Sequence, residues 1–69
     1  MGQGVGGKET ELEMARRHVR QGIARVARQL QLVAELRIDG RPTEIAEQLL
    51  ACFEDIQRQH EAHLARLEG

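Results

Sequence analysis

The three histidines are the first residues whose chemistry could build a site. His60 and His63 lie three residues apart, a spacing that places both imidazoles on one face of a helix, where two rings can share a metal ion. That spacing is one residue shorter than in the His-Glu-x-x-His zinc motif, and Gln57 stands where a di-iron bundle needs a glutamate. We therefore predict no metal and no cofactor, and we expect His60 to be a polar residue of a helical core.

Groups suited to acid–base or nucleophilic catalysis are scarce. The chain has no Ser or Tyr, two Thr, a single Lys and a single Cys. Cys52 flanks an apolar stripe, and we expect it to be a small buried residue rather than a reactive thiol. The segment Gly2 to Lys8 matches a phosphate-binding loop as far as its lysine, but Glu9 replaces the Ser or Thr that holds magnesium. The sequence predicts no enzymatic activity.

Arginines give the strongest remaining signal. Residues 12–41 contain seven arginines and three acidic residues, whereas residues 42–69 contain six acidic residues and two arginines. We favour mutual neutralisation of the two halves, with an uncovered basic face as the alternative. Arginine and glutamine on a rigid helix face suit phosphate contacts, although the pI of about 6.3 is low for a nucleic-acid binder. The candidate partner or RNA face contains Arg17, Gln21, Arg25, Arg28, Leu32 and Leu36.

The composition predicts one small helical domain. The 69 residues are 41% hydrophobic and 30% charged, and Phe53 is the single aromatic residue, which disfavours a β-sandwich or a β-barrel. The apolar runs are too short to span a membrane, so we expect a cytoplasmic protein.

Start and stop signals divide the chain into a tail and two helices. Residues 1–9 hold four of the seven glycines and are predicted to form a flexible tail, followed by a helical hairpin over 10–69. Thr10 is a suitable N-cap for a first helix over 10–38, and Gly40 is a suitable residue just beyond its end. A turn over 38–42 contains the only proline, and the second helix is expected over 43–67.

Apolar residues on both helices recur at steps of three and four, which indicates amphipathic helices in an all-α antiparallel hairpin. These stripes are too wide for one hairpin to bury. We therefore predict a homodimer in which two hairpins form a four-helix bundle. The predicted core and dimer residues are Val19, Ile23, Val26, Leu30, Val33, Leu49, Phe53, Ile56, His60 and Leu64.

The hairpin resembles the Rop family of plasmid copy-number regulators, which dimerise and bind paired RNA loops on one helix face. The resemblance lies in Met14-Ala15-Arg16, the central turn and the ending Leu64-Ala65-Arg66. Gln21 matches an RNA-facing position of that family in type, and Arg17 stands where the family has a stacking aromatic residue. The resemblance implies RNA binding as the alternative function.

A second resemblance covers residues 14–67. The chain is similar to a group of short proteobacterial helical-hairpin proteins without an established activity, which implies a bacterial origin. Together with the arguments above, it leads us to expect a small non-enzymatic interaction or regulatory module that pairs with itself and binds another protein. The residues that carry this second resemblance are His18-Val19, Gly22, Arg25-Val26, Arg28-Gln29, Leu32-Val33, Leu36, Gly40, Thr43, Ala46, Leu49-Leu50, Phe53, His60 and His63-Leu64-Ala65-Arg66-Leu67.

Overall fold

The computed structural model describes residues 9–69, which form two antiparallel α-helices packed against each other. Helix α1 is Glu11–Ile38 and helix α2 is Glu44–Glu68. The predicted all-α hairpin is confirmed, and both helices lie within one residue of their predicted bounds. The predicted tail over 1–9 falls outside the described residues except for Glu9. The hairpin is a flat rod with principal extents of 57 × 25 × 13 Å.

Helix α1 begins at a reciprocal cap. The Oγ1 of Thr10 accepts a hydrogen bond from the Glu13 backbone N–H at 3.0 Å, and the Thr10 N–H donates to Glu13 Oε1 at 2.9 Å. This capping box satisfies two backbone donors, and Glu11 and Glu13 place negative charge at the positive end of the helix dipole. The predicted N-cap is confirmed.

The turn between the helices closes with a glycine in the left-handed region. Gly40 has φ of +70°, a conformation that few other residues adopt. Its N–H donates to the Arg37 carbonyl at 3.0 Å, and the Arg41 N–H donates to the Leu36 carbonyl at 2.9 Å. These two bonds form a Schellman motif that satisfies the last carbonyls of α1 and reverses the chain towards α2.

The buried seam between the helices is narrow. Its buried apolar residues are Ala15, Val33 and Ala46, and they are accompanied by Gly22 and two glutamines, Gln29 and Gln57. The ten predicted core and dimer residues divide into three groups: Val33 is buried; Val19, Val26, Phe53, His60 and Leu64 are half-buried; Ile23, Leu30, Leu49 and Ile56 are exposed.

Both buried glutamines bond to the opposite helix. Gln29 Nε2 donates to the carbonyl of Ala46 at 2.9 Å, and Gln57 Nε2 donates to the carbonyl of Val19 at 2.9 Å. The Gln57 amide lies against Gly22, where a side chain would occupy its space. Its Oε1 is buried without a hydrogen-bond partner. The seam therefore combines small residues with two cross-helix amide bonds.

The contact of Gly22 with Gln57 predicts that Gly22→Ala changes the free energy of unfolding in opposite directions when the Gln57 side chain is present and when it is removed. A Cβ on Gly22 would lie 1.6 Å from Gln57 Oε1, so Gly22→Ala should displace the amide and lower the free energy of unfolding by about 1 kcal/mol. In a Gln57→Ala background the space is free. There, the same substitution should raise that free energy by about 1 kcal/mol, because Ala favours a helix over Gly.

This double-mutant cycle is measured by urea unfolding followed by circular dichroism at one fixed protein concentration. The coupling energy between the two positions should be about 2 kcal/mol. Equal effects of Gly22→Ala in both backgrounds would show that the two residues do not share this space.

Candidate interaction surfaces

One side of the hairpin carries a groove between the two helices. Its floor is formed by Ile23, Val26, Ala27 and Leu30 of α1 and its wall by Glu54, Gln57, Arg58 and Glu61 of α2, and it encloses about 450 Å³. We call this side the groove face. Ile23 and Leu30 lie seven residues apart, which is two helical turns, so they follow each other along the groove. The groove has an apolar floor and a charged wall.

The opposite side carries apolar residues of both helices, and we call it the leucine face. Along α1, Arg25 extends over the ring of Phe53 at 5.7 Å, and Leu32 lies seven residues further along the same side. Ile56 lies two residues from the groove-lining Glu54, a step of about 200° that places it on the other side of α2. The remaining apolar members of the leucine face are Met14, Leu36, Ile45, Leu49 and Cys52.

Arginine–glutamate ion pairs between the helices lie on the groove face, near both ends of the hairpin. Arg16 Nη2 lies 3.6 Å from Glu68 Oε2 near the chain termini, and Arg37 pairs with Glu47 near the turn. These pairs agree with the predicted neutralisation of the basic half by the acidic half. Because they are exposed, each contributes little to stability.

The predicted partner or RNA residues lie along the outer side of α1 and the leucine face. Gln21, Arg25 and Arg28 line a shallow depression of about 340 Å³ together with Ala24. Leu32 and Leu36 continue this side towards the turn, with Leu36 half-buried. Arg17 lies apart from the depression, because its guanidinium binds Glu9.

Histidines cluster near the open end of the hairpin, on the leucine face. The rings of His18 and His60 lie 5.1 Å apart at an angle of 45°, and His63 Nε2 lies 3.6 Å from Glu11 Oε2. Within residues 9–69 no group of three or more His, Cys, Asp or Glu side chains could hold a metal ion. The imidazoles of His18 and His60 pack against each other across the two helices.

The expected burial of Cys52 is wrong for the hairpin, because its side chain is exposed. A stripe predicted from helical spacing does not show how far the neighbouring helix reaches around it, and α1 leaves Cys52 uncovered. Neither described helix is sufficiently long and apolar to cross a bilayer.

The Glu9–Arg17 pair is the clearest electrostatic contact of the arginine-rich helix. Arg17 Nε donates to Glu9 Oε2 at 2.9 Å and Nη2 donates to Oε1 at 2.8 Å. These bonds lower the pKa of the Glu9 carboxyl below its ordinary value of 4.5, and they raise the pKa of Arg17. The stabilisation from this pair is therefore present above about pH 4.5 and lost as the pH falls through the lowered pKa of Glu9.

Replacing Arg17 should return the pKa of Glu9 towards 4.5, because the guanidinium that stabilises the carboxylate is removed. An NMR titration of the Glu9 side-chain carboxyl carbon in Arg17→Gln measures this rise. The matched control is Arg16→Gln, which removes an arginine that pairs with Glu68 and should leave the pKa of Glu9 unchanged. An unchanged pKa of Glu9 in Arg17→Gln would contradict the pair.

Comparison of the chain with protein families, curated proteins and solved structures gives no significant match. Functional inference therefore rests on the residues described above. They provide exposed apolar side chains on two opposite faces and an arginine-lined depression. Across residues 9–69 they provide no cluster suited to hold a metal.

Proposed function

We propose that the protein is a small non-enzymatic interaction module that works as a homodimer and binds another protein. The observation that carries this proposal is the exposure of large apolar side chains on both faces of the hairpin. Ile23 and Leu30 are 58% and 50% exposed on the groove face, and Leu49 and Ile56 are 43% and 41% exposed on the leucine face.

The hairpin buries too little apolar surface for stable folding by itself. Its buried apolar residues are two alanines and one valine, Ala15, Ala46 and Val33. A chain below about 70–80 residues rarely obtains more than about 3–5 kcal/mol from a single core, even when that core is well packed. A second copy that covers one face supports folding by removing further apolar side chains from water.

Two apolar faces also support a second kind of partner. A twofold dimer uses the same surface on both subunits, so pairing through one face leaves the opposite face of each hairpin exposed. Large contiguous apolar patches on the surface of soluble proteins mark interaction sites. The exposed face is therefore suited to bind a different protein, and the dimer presents two copies of it.

The dimer is tested by light scattering on the full chain at micromolar concentration, where the mass should be about twice 7.8 kDa. Its thermal midpoint should rise with protein concentration, because association stabilises the folded state by mass action. A cooperatively folded monomer, with a midpoint independent of concentration, would overturn the proposal.

RNA binding is the second candidate, and the depression lined by Gln21, Arg25 and Arg28 is the observation that favours it. Fluorescence anisotropy with a labelled RNA hairpin, measured between about 50 and 200 mM salt, separates the two functions. For the interaction module we expect no measurable RNA affinity at either salt concentration. Affinity that falls by decades over this range, and that is lost in Arg28→Gln, would instead establish an RNA binder.

A further inference from the structure

We propose that the second copy packs on the leucine face, turned antiparallel about a twofold axis that passes close to Cys52. The turns of the two hairpins then lie at opposite ends of the bundle, and the groove face stays open on both outer sides. This inference rests on the homodimer of the proposed function, and it names the surface that the dimer uses.

Charge distinguishes the two faces. On the groove side of α2, carboxylates recur at seven-residue intervals: Glu47, Glu54, Glu61 and Glu68. Glu47 and Glu68 pair with Arg37 and Arg16, whereas within residues 9–69 Glu54 and Glu61 have no such ion pair, so pairing through that side would desolvate these two carboxylates in both copies. On the leucine side, the steps of four and three along α2 give Ile45, Leu49, Cys52, Ile56, Gln59 and His63, which include no carboxylate. A second copy therefore desolvates no carboxylate of α2 there.

Exposure and size favour the same face. Met14, Leu32 and Ile45 are 38%, 41% and 77% exposed, in addition to Leu49 and Ile56. From Met14 to Leu36 the face extends about 33 Å along α1, at a rise of about 1.5 Å per residue. With two helices each about 10 Å wide, its footprint is roughly 650 Å². This approaches the area of about 800 Å² that each partner contributes to a stable interface.

The axis position follows from the register of the hairpin. Arg25 lies beside Phe53, and the Gln57 amide bonds to Val19, so Cys52 and Arg25 are at nearly the same height along the rod. Rotation about an axis at that height brings Leu49 opposite Ile56 of the partner subunit. The same rotation brings Met14 of α1 opposite Leu36 of the partner subunit, and Cys52 opposite Cys52 of the partner subunit. These pairs bring apolar residues together.

The parallel arrangement, with both turns at the same end, fits less well. In that arrangement α1 lies over α2 of the partner subunit, and Arg25 and Arg28 would cover Cys52 and Leu49 of the partner subunit. The antiparallel arrangement brings only Arg25 near its own copy. Its long side chain already extends over the Phe53 ring at 5.7 Å and can carry its charge to the edge of the interface.

Cross-linking of the unmodified chain tests the axis directly. Cys52 is exposed on the single hairpin, and in the proposed dimer its two copies face each other, so copper-phenanthroline oxidation should join the two thiols as a disulfide in high yield at low micromolar concentration. The matched control is Ala27→Cys in a Cys52→Ala background, which places the only thiol at the centre of the groove face. This control should give at most a trace of covalent dimer. Efficient linking of the control and none of Cys52 would overturn the inference.

A matched pair of arginine substitutions provides a second test. Leu49→Arg on the leucine face should raise the dimer dissociation constant by about 100-fold or more, because it places a charge in the apolar centre. Ile23→Arg on the groove face should change that constant by less than about 3-fold, since the residue faces solvent on the outer side. The constants are measured by sedimentation, with helix content followed by circular dichroism.

Replacing Arg25 tests the same surface with a substitution that should strengthen the dimer. Arg25→Met should lower the dissociation constant about 5-fold or more, because two like charges leave the interface. If Ile23→Arg changes the dissociation constant and neither Leu49→Arg nor Arg25→Met does, the dimer interface is not the leucine face, although the proposed homodimer stands. A folded monomer of the unmodified chain would overturn both the proposed interface and the proposed homodimer.

Discussion

Two antiparallel helices share only one line of contact, and the residues on that line are the ones that leave the solvent. Along α1 the line passes through Ala15, Gly22 and Gln29 at intervals of seven residues. The small size of Ala15 and Gly22 permits close approach of the helices, most clearly at Gly22, where a Cβ would overlap the Gln57 amide. The larger residues Ile23, Leu30, Leu49 and Ile56 lie beside this line, so they are exposed and contribute to the two apolar faces.

The polar residues of the seam fix the register more than they add stability. Gln29 bonds to Ala46 near the turn, and Gln57 bonds to Val19 in the opposite half of the hairpin. Sliding one helix along the other by a single turn would break both bonds together and bury unpaired amides. Apolar side chains at these two positions would tolerate several registers, because apolar contact is not directional. The buried Oε1 of Gln57, which has no hydrogen-bond partner, shows that this specificity has an energetic cost.

The sequence predicted the features of the fold that depend on local signals. The N-cap at Thr10, the turn at Gly40 and both helix bounds follow from residues close in sequence, and the structure confirms them. Burial depends on the position of the other helix, which spacing alone does not provide. For this reason Cys52, which flanks the stripe, was expected to be buried, and the burial of Gln29 and Gln57 was missed. The seven-residue spacing of Ala15 and Gly22 was the available signal, because a repeated small residue marks close packing of helices. The candidate partner residues were predicted on one helix face, and the structure brings Gln21, Arg25 and Arg28 together there but directs Arg17 to Glu9.

The structure of the hairpin explains the charge asymmetry of the sequence. Its acidic residues recur on the groove side of α2, where Glu47 and Glu68 reach Arg37 and Arg16 across the two helices. The leucine side of α2 has no acidic residue between Ile45 and Gln59 on its exposed line, and Arg25 there contacts an aromatic ring instead of a carboxylate. One face is therefore apolar and acidic, whereas the other is apolar and weakly basic. Because the two faces differ in both shape and charge, each face is suited to a partner of different chemistry.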